Sequence, residues 1–257
     1  MIEGNVFTAN QINQLKYVPR LTKDGFGKRR LTDKIFSVIT EYYKDNKEKF
    51  VDEDGGLDKN GIINAWDETE PGSYIAPHKD FTIWCLENLK VFHEDWCGFE
   101  LFPCMGYGPR KYVEGAYLQA HADRPYTHII SSIINIDQDV ESEWPLQIYG
   151  YDNKLHNVFL EPGDILYYEG AKLLHGRTQP LNGKYFINLF LHYRPIEWFL
   201  PQENVRGFLK QKKLHEDKTT ESDWIEFYEK NTSERICGKK FPEVWLNDRW
   251  SNEYNNE

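Results

Sequence analysis

The chain has 257 residues, 40% of them hydrophobic and 15% aromatic, enough for one large core with flanks. With 31 basic and 41 acidic side chains its formal net charge is −10, which argues against general nucleic-acid binding, where a basic stripe is expected. No apolar run approaches the roughly 18 residues of a membrane span, and the start, Met-Ile-Glu-Gly-Asn, has no basic segment leading into an apolar one; a soluble cytoplasmic protein with no membrane partner is expected.

Residues 1–30 are polar, with turn signals at Asp24-Gly25 and Gly27. Leu31, Ile35, Phe36, Ile39 and Tyr42 have helical spacing, which predicts a helix over 31–43. Residues 50–77, rich in Asp, Gly, Asn and Pro, read as a long irregular connection, and such loops are often lids or binding loops. A second helix is predicted over 80–92, with Phe81, Trp84, Cys85, Leu89 and Phe92 near one face. From about residue 102 to 194 the texture changes to short runs of Ile, Tyr, Phe and Leu punctuated by Gly, Pro, Asn and Asp. Strands are predicted at 112–119, 128–136, 145–151, 155–160, 164–169 and 184–193, a pattern for a β-sandwich or barrel. Tyr151-Asp152-Asn153-Lys154 reads as a hairpin turn, and Glu161-Pro162-Gly163-Asp164 as a type II turn. Residues 196–257 are charged but carry aromatics from Trp198 to Trp250, and are expected to dock on the core. The expected organisation is one domain: an N-terminal helical flank (1–101), a core (102–195) and a C-terminal extension (196–257). Cys85, Cys97, Cys104 and Cys237 fit no common zinc spacing and read as free thiols.

His-x-Asp occurs four times, at His78/Asp80, His93/Asp95, His121/Asp123 and His215/Asp217. On a strand, residues two apart point to one side; on a helix they do not. The first pair opens a predicted helix and the second closes it, and the last sits in a charged surface run. His121/Asp123 ends a strand-like run, Gly115 to Ala120, and His175 follows a strand led in by the Pro-Gly-Asp turn. Two imidazoles and a carboxylate are the facial ligand set of non-haem Fe(II) oxygenases, with zinc as the competing metal.

At these residues the chain resembles the Fe(II)/2-oxoglutarate-dependent dioxygenases, specifically the prolyl 4-hydroxylase-like branch. The resemblance covers roughly residues 109–195. It is carried by Tyr112-x-x-Gly115 before His121-x-Asp123, by Glu161-Pro162-Gly163-Asp164 before His175, and by Gly183-Lys184-Tyr185-Phe186-Ile187-Asn188. It implies a double-stranded β-helix, a cupin-like jelly-roll core that is mainly β with flanking helices. It assigns iron to His121, Asp123 and His175. It gives Lys184 the far carboxylate of 2-oxoglutarate, with Tyr112 donating to the same group and Ser131, Asn135 and Asn188 lining that pocket. Arg177, two residues after His175, is a candidate for contact with a carboxylate of co-substrate or substrate, or for a structural salt bridge, and Arg124 and Tyr117, at the pocket mouth, are candidates for contact with substrate. The implied reaction couples decarboxylation of 2-oxoglutarate to succinate with O2-dependent hydroxylation of an unactivated C–H, with ascorbate as reductant. Two features depart from the pattern: Pro180 stands five residues after His175, not four, and Glu141-Ser142-Glu143-Trp144-Pro145 replaces a Gly-Gly segment. Three readings of function stay open: hydroxylase of a prolyl or other peptide residue, hydroxylase of a free amino acid or other small molecule, and a non-catalytic binding jelly roll.

Overall fold

A computed structural model describes residues 14–15, 18–52, 73–75, 79–196 and 198. Helices α1 (Asp33–Asn46) and α2 (Lys79–Cys97) cover the two stretches with helical spacing and run a few residues further. Asp33 in the first turn of α1 and Lys44 in its last complement the helix dipole. The strands are β1 (Phe26–Arg30), β2 (Val51–Asp52), β3 (Ser73–Ile75), β4 (Leu101–Val113), β5 (Leu118–His121), β6 (Ile130–Val140), β7 (Leu146–Tyr149), β8 (Leu155–Val158), β9 (Asp164–Tyr168), β10 (His175–Arg177) and β11 (Gly183–Pro195).

These strands form a seven-stranded sheet, β1-β9-β6-β11-β4-β3-β2, and a four-stranded sheet, β5-β10-β7-β8. Within them β4-β11-β6-β9 and β5-β10-β7-β8 are the two halves of a double-stranded β-helix, the jelly roll expected from the sequence. Alternation along β11 shows how the layers are held. Ile187, Leu189, Leu191 and Tyr193 pack with Ile39 of α1 and with Phe81, Cys85 and Leu89 of α2. Phe186 and Phe190 point the other way, into the space between the sheets, with Tyr112, Trp144, Leu146, Ile148, Leu166 and Tyr168. A strand covered on both faces carries apolar residues at both parities, as 185–187 and 189–191 do, with Asn188 and His192 the polar exceptions.

Two turns set the strand connections. Gly163 takes φ 97 and Asp164 N donates to Glu161 O at 2.8 Å, as a type II turn requires. Asn153 takes φ 59 where Gly150 N donates to Lys154 O at 3.0 Å. The polar segment Phe26–Arg30, expected to be irregular, is an edge strand on β9 instead. Two of its three basic side chains share one buried acid: Asp164 takes Lys28 at 3.3 Å and Arg30 at 3.1 Å. β4 starts at Leu101, well before the expected residue 112. Among the described residues, its part before Arg110, with Pro103 and Pro109, pairs only with β11, and β3 joins at residues 110–112; prolines are tolerated along such an edge.

Helix α2 does not close at His93 but continues through it to Cys97. His93 is buried, its Nδ1 against Leu89 O at 2.7 Å and its Nε2 against Ser132 Oγ at 2.8 Å. Burial pushes its pKa down from 6.5 to about 4. The unfolded chain therefore binds a proton that the folded chain refuses. Stability from this residue is complete above the ordinary histidine range and is lost as pH falls toward 4, by roughly 3 kcal/mol. Acid unfolding of His93→Leu should show a pH dependence shallower by about one proton in that window; an identical slope would mean that His93 is charged in the fold. Its neighbour Asp95 pairs with Arg29 at 2.9 Å, and Asp80 is exposed in the first turn of α2.

Cys85 and Cys97 are buried free thiols and Cys104 a half-buried one. Trp198 is buried and donates from Nε1 to Pro125 O at 2.8 Å, docking the start of the C-terminal extension. The expected lid at 52–70 beyond Asp52, His78, the pair His215/Asp217, Cys237 and the later aromatics lie outside the described residues. No helix among the described residues is long and apolar enough to cross a membrane.

Candidate metal centre

β5 ends on His121 and β10 begins on His175, and the two histidines are register partners across the small sheet. Their rings lie 4.6 Å apart between centroids. The chain then turns back after β5, Asp123 N donating to Gly170 O at 2.8 Å, which returns the Asp123 carboxylate to the histidines. Asp123 Oδ1 is 3.5 Å from His121 Nε2 and 3.8 Å from His175 Nε2. One ligand atom from each of the three residues lies within 4.8 Å of the others, and no other such group of three occurs among the described residues.

The backbone orients both rings. His121 Nδ1 meets Gln119 O at 2.8 Å and His175 Nδ1 meets Leu173 O at 2.9 Å. With each Nδ1–H donating to a carbonyl, each Nε2 lone pair faces Asp123, the arrangement that metal-binding histidines use. Protonation favours the same end. Burial pushes His175 down to about 4. Burial alone would raise the Asp123 pKa, but the facing His175 and the bond from His121 hold it well below the usual carboxylate range. Burial also opposes charge on His121, yet the bond and charge of Asp123 outweigh it and raise that pKa. A metal needs both Nε2 atoms unprotonated, so its binding competes with protons at this site.

The second carboxylate oxygen is held separately. Ser131 Oγ donates to Asp123 Oδ2 at 3.3 Å and lies 2.8 Å from His192 Nδ1. The His192 ring lies tilted against that of His128, 3.8 Å apart between centroids, and His128 Nδ1 meets Thr127 Oγ1 at 2.6 Å. Tyr168 packs edge-on against His175 at 4.6 Å. Gly170 leaves the room this requires: a Cβ there would strike Asp123 Oδ2 and come within 2.6 Å of Ser131 Oγ. Ser131→Ala should weaken metal affinity about tenfold, the usual cost of losing an outer partner of a ligand. Chelator competition measures this, and an unchanged affinity would remove Ser131 from the site.

His175 and Arg177 point to the same face of β10, into the space between the sheets. Arg177 is 2% exposed. Its guanidinium carbon lies 4.5 Å from the Trp144 ring centre and 4.6 Å from that of Phe186. Nη1 donates to Trp144 O, while Nη2 is buried without a partner. Burial lowers its pKa to about 10, with the Tyr112 and Tyr168 phenols nearby working the other way; it stays charged at neutral pH. Tyr112 packs edge-on against Trp144 at 5.2 Å. Asn135 Nδ2 reaches Asn188 Oδ1 at 3.4 Å, and this leaves Asn135 Oδ1 and Asn188 Nδ2 buried without partners.

The structure thus brings His121, Asp123, His175 and Ser131 together, and places Tyr112, Asn135, Asn188 and Arg177 deeper between the sheets. Tyr117 and Arg124 are half-buried on either side of the β5 segment that carries His121. Lys184 corrects the sequence reading. Its side chain is 79% exposed and pairs with Asp139 at 2.7 Å. β11 has a register irregularity between Gly183 and Tyr185, so the lysine stands at the rim and Phe186 is the first side chain of β11 to enter the interior. His128, Tyr168, Gly170 and His192 were not singled out in the sequence. For His192 a signal existed: it continues the even-numbered series Phe186, Asn188, Phe190 on β11.

Neither a family model nor a curated protein matches the chain. Solved structures similar to it include a Pseudomonas putida prolyl-4-hydroxylase, 15% identical, covering 71% of this chain and 98% of that one at TM-score 0.48. EctD from S. alaskensis with 2-oxoglutarate and 5-hydroxyectoine is 13% identical, over 76% of this chain and 79% of that one, at TM-score 0.48. HygX from Streptomyces hygroscopicus with nickel, 2-oxoglutarate and hygromycin B is 13% identical, over 74% and 88%, at TM-score 0.46.

Proposed function

We propose that this chain is an Fe(II)- and 2-oxoglutarate-dependent dioxygenase that hydroxylates an unactivated C–H. One observation carries the reading: His121, Asp123 and His175 converge at the ends of two paired strands, with both imidazoles backbone-locked and the carboxylate facing both Nε2 atoms. Neutral imidazoles and an ionised carboxylate suit Fe(II) and leave coordination positions free. The orphaned guanidinium of Arg177 favours an anionic co-substrate beside that metal, which a simple structural zinc site does not require.

Bound here, Fe(II) would supply the O2 chemistry that couples decarboxylation of 2-oxoglutarate to succinate with hydroxylation. The protein's own residues do the rest. His121, Asp123 and His175 hold the metal, and Ser131 restrains Asp123 Oδ2 so that Oδ1 is the ligand. Trp144, Phe186 and Tyr168 wall the interior with rings and exclude water. Tyr112, Asn135 and Asn188 present polar groups to the same space. Motif resemblance makes a prolyl or other peptide residue the first substrate to try, and a free amino acid or other small molecule the second. Tyr117 and Arg124 flank the metal-binding segment and are placed as substrate contacts, and ascorbate as the external reductant.

Anaerobic addition of 2-oxoglutarate to the Fe(II)-loaded protein should give a visible charge-transfer absorption. No spectral change at saturating 2-oxoglutarate, with iron bound, would overturn the reading. Succinate release on adding proline-containing peptides, compared with free amino acids, then separates the two substrate classes.

A further inference from the structure

We infer that Arg177, on β10, anchors the far carboxylate of the anionic co-substrate, in place of a cation on the closing strand. This rests on the co-substrate reading above. A buried charge is tolerated only when it is paired, and breaking such a pair is costly. Arg177 is buried, yet no carboxylate among the described residues bonds to it and its Nη2 has no acceptor. Its position is nevertheless fixed. Two aromatic faces grip the guanidinium and Nη1 is tied to Trp144 O. A cation held this firmly and left unpaired is complementary to an anion that arrives from outside.

The strand sets which anion. Arg177 follows His175 by two residues on the same face, about 6.6 Å further from the metal ligands at strand spacing. A ligand that chelates the metal with one end and carries a second acid at the other spans that interval. The Tyr112 phenol lies near Arg177, and the orphaned Asn135 Oδ1 and Asn188 Nδ2 are further polar groups on the facing sheet. Lys184 is outside, paired with Asp139. Arg110 lies over Tyr107 and Phe190 and acts on His121, and Arg124 acts on His128. The ligand class is therefore a 2-oxo dicarboxylate, with the guanidinium fork on its distal acid.

The test compares 2-oxoglutarate with 2-oxovalerate, the same chain lacking the far acid. Binding to full-length Mn(II)-loaded protein is measured by calorimetry, with metal stoichiometry determined separately. Wild type should prefer 2-oxoglutarate. Arg177→Met should reduce 2-oxoglutarate affinity by about 30-fold or more, the scale of truncating one partner of a buried charge pair, while 2-oxovalerate binding stays within about threefold. Lys184→Met should keep the wild-type preference. Removing an unpaired buried charge should also leave the ligand-free Arg177→Met protein at least as heat-resistant as wild type. If that variant does not fold, Arg177→Gln, neutral and able to keep the bond to Trp144 O, gives the same comparison. An unchanged preference in the Arg177 variant, or its collapse in Lys184→Met or Arg110→Met, overturns the assignment while leaving the co-substrate reading in place. A wild-type protein that binds Mn(II) but shows no preference for 2-oxoglutarate overturns both.

Discussion

Asp123→Ala should lose stoichiometric metal binding, with affinity for Fe(II) or Mn(II) falling by more than about 100-fold, and 2-oxoglutarate turnover should vanish with it. The carboxylate is the one anionic ligand of the three, so it supplies the charge that a divalent cation needs between two neutral rings. Its removal also takes the partner from His121 Nε2 and from Ser131 Oγ. The fold should persist, because the hydrophobic clusters on both sides of the large sheet do not include this side chain. Metal content after gel filtration, read beside a thermal melt, separates loss of the site from loss of the protein. Asp80→Ala and Asp95→Ala should retain full metal content, since Asp80 is exposed on α2 and Asp95 pairs with Arg29. A wild-type metal content in Asp123→Ala would move the site elsewhere.

The second large effect is expected at Gly176, between His175 and Arg177. β10 lies between β5 and β7, with no free side in the small sheet. A Cβ at 176 would sit 2.8 Å from Leu118 O and 2.9 Å from both the N and Cα of Ala120. All three are backbone atoms of β5, so no rotamer change relieves the contact. Gly176→Ala must push β10 off β5, at the 1–3 kcal/mol typical of overpacking, or about 5–10 °C in Tm near the upper end. That shift carries the distal metal ligand and the guanidinium with it. Metal and 2-oxoglutarate affinity should therefore both fall, each by about tenfold or more. A variant with native melting and native affinities would mean that β5 and β10 tolerate separation.

Much of this was readable from the residue order because the chemistry is local. The Glu161-Pro162-Gly163-Asp164 turn, the two helical stripes and the alternation through 184–193 each reflect a backbone rule acting over a few residues. The strand-like run before His121, with His175 after its Pro-Gly-Asp turn, separated His121/Asp123 from three other His-x-Asp pairs, although β5 ends at His121 and it is the turn bonded from Asp123 N to Gly170 O that returns the carboxylate. Other features depend on partners far along the chain. β1 is too charged to read as a strand; it exists because β9 offers an edge and Asp164 takes Lys28 and Arg30. β4 begins at Leu101, before the expected residue 112, and pairs along its length with β11, which is distant in the sequence. Lys184 had the right sequence distance from His175 but stands at a register irregularity of β11, and Asp139 holds it outside. Arg177 read equally as a contact for a carboxylate of co-substrate or substrate and as a salt-bridge residue, since nothing nearby in sequence says that its surroundings are Trp144 and Phe186 with no acid. Strand and turn patterns are written locally in the chain, whereas the charge balance of a buried pocket depends on partners far along it.

The measurement closest to the central claim is conversion of 2-oxoglutarate to succinate by the purified full-length chain, with and without Fe(II), beside the Asp123→Ala variant. Slow succinate formation that requires both Fe(II) and O2, and that disappears in the variant, is the expected result. Iron bound at the His121, Asp123 and His175 site with no succinate formed, with or without any peptide or amino acid offered as substrate, would contradict the account.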